Sequence, residues 1–74
     1  MLNKKLTFVV SDTSTVTMKV YDAIGNLVAT PVHEKKPAGL YCVNFDTTGL
    51  PNGTYSYEVF TGNSIEVKKI KLLV

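Results

Sequence analysis

The stretch VTMKVYDAIGNLVAT, residues 16–30, decides the fold. Val16, Met18 and Val20 alternate with Thr17 and Lys19, the period-2 pattern of a strand with one face buried and the other in water. The run ends at Tyr21-Asp22, crosses Ala23-Ile24-Gly25-Asn26, and resumes as Leu27-Val28-Ala29-Thr30. Asp22 has a short acceptor side chain that bonds backbone amides ahead of it, and Gly25 reaches the positive φ that a tight hairpin loop demands. The spacing predicts a β-hairpin with no catalytic signature inside it.

The same alternation continues on both sides. Leu6, Phe8 and Val10 make a first strand that closes on Ser11-Asp12-Thr13-Ser14, four turn-forming residues in a row. Beyond the hairpin a third strand runs over residues 26–32 and is cut by Pro31, which cannot donate to a ladder and so suggests an edge or a strand end. His33 to Gly39 then reads as a polar loop. Residues 40–46 alternate again, with Tyr41, Val43 and Phe45 on one side and Leu40, Cys42 and Asn44 on the other. Pro51-Asn52-Gly53 is a strong turn signal before an aromatic and β-branched strand over residues 54–60. A turn at Gly62-Asn63 leads to the last run, residues 64–74. There Ile65 and Val67 share one parity while Ile70, Leu72 and Val74 have the other, so a bulge or break is expected near Lys68-Lys69. With no helical period anywhere, six or seven short strands predict an immunoglobulin-like antiparallel β-sandwich, a single domain over residues 1–74.

Composition narrows the function classes. A chain of 74 residues buries only about 60% of the surface it exposes when unfolded, so it is marginal as an independent unit. Cys42 is the single cysteine, which rules out an internal disulfide, and its place in an apolar run suggests a small buried hydrophobe. The net charge of +2 comes from eight lysines against six acids, with no arginine. Lacking the planar guanidinium fork, and with its lysines scattered, the chain is not expected to read nucleic acid. No apolar run approaches the roughly 20 residues of a membrane span, and no cofactor motif is present.

Candidate reactive groups do not converge. His33 is the only histidine, in a lysine-rich segment, and reads as solvated. Asp12, Asp22 and Asp46 are explained as turn caps, with a calcium site at one end of the sandwich as the alternative. Leu50, Gly53 and Tyr55 form L-x-x-G-x-Y at a strand start, similar to the tyrosine corner of immunoglobulin-like domains. Asp22, Gly25, Gly39, Gly53 and Tyr55 are therefore assigned to structural turns, and catalysis is not expected.

Four segments in order, VTMKVYDAIGNLVAT, PAGLYCVNFD, GLPNGTYSYEV and VKKIKLLV, resemble the type A C-terminal sorting domain of type IX secretion substrates of Bacteroidetes. The resemblance covers residues 6–74. It implies a folded export signal at the end of a larger cargo, recognised by outer-membrane secretion machinery. The cargo would pass through the periplasm to the cell surface or the medium. On that reading Lys68, Lys69, Ile70, Lys71, Leu72, Leu73 and Val74 carry recognition, by pairing of an exposed strand edge with lysines selecting the partner. An ordinary last strand with edge-blunting lysines is the plainer reading of the same residues. Unpaired edges also leave strand-swapped or edge-paired self-association open. Two other classes stay compatible: a structural or adhesive immunoglobulin-like module, related to the domain of flagellar hook-capping proteins, and a carbohydrate-binding module using Tyr21, Tyr41, Tyr55 or Tyr57.

Overall fold

The computed structural model describes residues 3–62 and 64–73. Six antiparallel strands make two sheets: β1 (Asn3–Val10), β2 (Ser14–Tyr21), β3 (Leu27–Lys36), β4 (Gly39–Asp46), β5 (Gly53–Thr61) and β6 (Ser64–Leu72). The larger sheet has the order β3-β2-β5-β6, and β1 pairs with β4 in the smaller one. This is the all-β, two-layer arrangement expected of a sandwich. Asn63 and Val74 lie outside the described residues.

The core follows the strand alternation. Leu6, Phe8 and Val10 from β1 meet Val16, Met18 and Val20 from β2, with Tyr55, Tyr57 and Val59 from β5. Val32, Phe45 and Leu72 close the margins, and Phe8 stacks on Tyr41 with ring centroids 5.3 Å apart. Burying such side chains from both inner faces is what holds two sheets together.

The opening hairpin forms as its residues require. The Asp22 carboxylate accepts from the amides of Ile24 (3.1 Å) and Asn26 (2.9 Å) and from the Asn26 side chain (3.2 Å). Gly25 sits at φ +93° within the loop.

Three expectations are corrected. Residues 33–36 are strand rather than loop: β3 continues to Lys36, with Thr17 opposite His33 and Ser14 opposite Lys36. Pro31 marks an edge, one of the two readings expected of it: β3 is an outer strand, and its register against β2 shifts between Met18 and Val20, leaving an extra residue around Pro31 as a bulge. A polar edge strand resembles a loop in composition, which is why the charged run misleads.

The bulge expected near Lys68-Lys69 is absent. β6 pairs with β5 in unbroken register from Ser64 opposite Thr61 to Leu72 opposite Gly53. The change of apolar parity arises because the two-stranded sheet does not cover β6 where Ile65 and Val67 lie. Both point to the outer face, 65% and 57% exposed, while Ile70 and Leu72 face inward.

Cys42 is exposed rather than buried. It lies opposite Thr7 on the outer face of the β1–β4 sheet, which no third layer covers.

Candidate functional site

Two tyrosines pin the sandwich from opposite ends. Tyr55 donates its hydroxyl to the Pro51 carbonyl at 2.8 Å, the corner expected at the start of β5. Tyr41 donates to the Pro37 carbonyl in the same way. The two corners share the pattern Pro-x-Gly-x-Tyr, residues 37–41 and 51–55. Gly39 and Gly53 hold nearly identical φ values of +156° and +154°. Those values are awkward for any residue with a Cβ, so glycine opens both strands and lets each tyrosine fold back four residues. The second corner was legible in the sequence as a repeat of the first.

Fixing the start of β5 fixes β6, which hydrogen-bonds along its whole length. One edge of β6 pairs with β5, and among the described residues no strand pairs with the other. Thr61 and Ser64 face each other across a two-residue connection, and a pair closing such a hairpin exchanges both backbone hydrogen bonds. Alternation along β6 then directs the amides and carbonyls of Ile65, Val67, Lys69 and Lys71 to the free edge. These four residues also carry their side chains on the outer face.

The recognition residues expected from the sequence separate by parity. Lys68 faces inward, where its ammonium lies 3.4 Å from the Thr7 carbonyl and 3.4 Å from the Glu66 carboxylate. The Tyr57 hydroxyl reaches the same Thr7 carbonyl at 3.1 Å. Ile70 is half-buried and Leu72 is core, 7% exposed. Lys69 and Lys71 are exposed on the outer face, and Leu73, just beyond the strand, is 80% exposed. Val74 lies outside the described residues. The free part of the expected set is therefore Lys69, Lys71 and Leu73, while Lys68, Ile70 and Leu72 support the fold.

The outer face beside this edge has an apolar half that sequence reasoning missed. Register places Thr17, Phe60 and Ile65 in one row and Lys19, Glu58 and Val67 in the next. Lys19 extends over Phe60, 5.5 Å from the ring centroid. In the row of Tyr21, Ser56 and Lys69, the Glu58 carboxylate accepts from the Tyr21 phenol and so raises its pKa. At the far end of β6 a concavity of about 160 Å³ is lined by Asn3, Lys4, Thr47, Leu50, Lys71, Leu72 and Leu73. It is shallow and small for a ligand pocket.

Three further polar side chains, those of Asp22, Asp46 and His33, are engaged locally, whereas at the first turn it is the Asp12 backbone carbonyl that accepts from the Ser14 hydroxyl. Asp22 and Asp46 spend carboxylate oxygens on their own turns, Asp46 accepting from the Thr48 amide at 2.9 Å, and these bonds hold both pKa values below the usual range. His33 shares a hydrogen bond with the Thr17 hydroxyl on the outer face at 3.0 Å. Among the described residues no group of three metal-ligating side chains assembles, and no helix is long and apolar enough to cross a membrane.

The described residues thus form a small β-sandwich with an accessible last-strand edge and with the Asp22 and Asp46 carboxylates tied into turns. The chain belongs to the secretion system C-terminal sorting domain family, whose model matches residues 2–72. It is thus a C-terminal sorting signal for type IX secretion, and the family is not catalytic. Membership implies a cargo on the N-terminal side, the secretion machinery as partner, and export to the cell surface or beyond. No curated protein and no solved structure matches the chain.

Proposed function

We propose that the free edge of β6 from Val67 to Lys71 is the part of the sorting signal that the secretion machinery reads. The domain, residues 1–74, is the C-terminal unit of a larger exported protein and acts as a handle without chemistry of its own. It meets its receptor after the cargo has entered the periplasm. An extended receptor segment adds to the sheet through the edge amides and carbonyls of Val67, Lys69 and Lys71. The outer-face lysines then favour a segment with acidic side chains opposite them.

The observation that carries this reading is the division of β6 by parity. Lys69 and Lys71 sit beside unpaired backbone and make no contribution to the core, whereas Lys68 is turned inward onto Thr7. Export of a reporter fused ahead of residue 1 tests it in a type IX-competent host. Lys69→Glu with Lys71→Glu should abolish export with little change in the unfolding midpoint. The matched pair Lys4→Glu with Lys5→Glu, on β1, should leave export intact. Equal loss from both pairs would point to net charge instead of a read edge.

A further inference from the structure

Beyond its reading by a receptor, we propose that the β6 edge pairs with the β6 edge of a second copy of this chain, antiparallel, with Val67 opposite Val67 across a two-fold axis. The inference needs only the geometry of the edge and does not rest on the export mechanism.

Unpaired strand edges invite association unless bulges, proline or charged side chains guard them. Among the described residues, three of the four sheet edges carry a guard other than their own charges. β3 shifts register twice against β2 and contains Pro31. The β1 edge has its Thr7 carbonyl occupied by Tyr57 and Lys68. β4 is flanked by Lys36, which reaches from β3 to lie 4.8 Å over the Tyr41 ring. β6 is guarded by charge alone: it carries Glu66, Lys68, Lys69 and Lys71, but it is straight over Ser64–Leu72, has no proline, and exposes Ile65 and Val67 beside Phe60.

Charge selects both the occupant and the register. Two copies joined about a two-fold axis normal to the sheet must keep outer face beside outer face, so only residues of equal parity can face each other. The register of greatest overlap sets Lys68 against Lys68. A shift toward Ser64 that centres Glu66 sets two carboxylates together, and a shift the other way centres Lys69 on Lys69. Centring Val67 instead places Lys68 of each copy opposite Glu66 of the other. It also sets Ile65 opposite Lys69, whose aliphatic stem can cover it, and joins the two outer-face apolar patches at Val67. Ile65, Val67 and Lys69 are the residues whose backbone groups point to the free edge, so the facing pairs exchange hydrogen bonds. The dimer consumes donors that a receptor strand would use, and the two complexes exclude each other.

Sedimentation velocity of the purified chain across a concentration series tests the proposal, with circular dichroism reporting the fold of each variant. The wild-type chain should show a concentration-dependent dimer. Glu66→Lys creates two like-charge pairs and should weaken the dimer about tenfold or more. Combining it with Lys68→Glu restores opposite charges and should restore association. Amide exchange on the wild-type chain provides a readout free of substitutions: raising concentration should protect the amides of Ile65, Val67 and Lys69. A wild-type chain that stays monomeric, a dimer unmoved by Glu66→Lys, or concentration-dependent protection confined to other strands would each overturn the proposal.

Discussion

Lys68, on the last strand, donates to the carbonyl oxygen of Thr7 on the first, 61 positions away and 3.4 Å distant. That contact crosses the open flank of the sandwich, where the two-stranded sheet leaves part of β6 uncovered. It turns one of three neighbouring lysines into a structural residue and leaves Lys69 and Lys71 exposed on the outer face. Removing the three charges singly should separate the roles. Lys68→Ala should lower stability by up to about 1 kcal/mol, because its contacts are partly solvent-screened. Lys69→Ala and Lys71→Ala should stay within about 0.5 kcal/mol of wild type. Urea midpoints measured at constant m-value check this.

The tyrosine corners should contribute unequally. Tyr55 is buried, and its hydroxyl holds the turn that starts β5, so Tyr55→Phe strands the Pro51 carbonyl and should cost about 1 to 2 kcal/mol. Tyr41 lies nearer solvent, so Tyr41→Phe frees the Pro37 carbonyl to take water and should cost less. Thermal unfolding of the two variants side by side gives the order.

Leu72 belongs to the core although it stands near the end of the segment proposed for recognition. Leu72→Ala should cost about 2 to 4 kcal/mol, whereas Leu73→Ala should cost almost nothing. Deleting both together would therefore confuse misfolding with loss of a signal. Comparing the unfolding midpoints of the two single variants tells them apart.

Acid should weaken the fold through its turns. The carboxyls of Asp22 and Asp46 have pKa values lowered in the folded state by backbone amides, chiefly that of Asn26 for Asp22 and that of Thr48 for Asp46. A lowered folded pKa gives a contribution present above the unfolded value of about 3.9 and lost as pH falls through the folded value. Stability should thus decline below about pH 4. Asp22→Asn with Asp46→Asn should flatten that decline. A titration of the urea midpoint from neutral to acid pH measures it.

The thiol of Cys42 faces solvent from the outer side of the smaller sheet. A maleimide should label it in the native protein at a rate unchanged by mild denaturant. A rate that climbs with denaturant would indicate a buried thiol.

The strands that were legible in the sequence are those with one face on the core. β1, β2, β4 and β5 alternate cleanly because the opposite sheet enforces period 2 on them. The two edge strands of the larger sheet were harder to read, each for its own reason. On β3, charged residues such as Lys35 are acceptable on an edge, so strand and loop share a composition. On β6, the parity of Ile65 and Val67 reflects an outer-face patch, and sequence periodicity does not distinguish that from a register slip. The inward turn of Lys68 was likewise invisible, since it depends on how far β1 and β4 extend across β6. The Asp22 turn and the Tyr55 corner were readable because both are local, closing over four residues.

Export by a chain carrying Lys69→Pro is the most direct test of a read edge. The Lys69 amide points away from β5, so proline removes an edge donor while sparing the β5 ladder. The account predicts a folded domain, with native circular dichroism, that fails to deliver its reporter outside the cell. Export at the wild-type level from that folded variant would contradict recognition through the β6 edge.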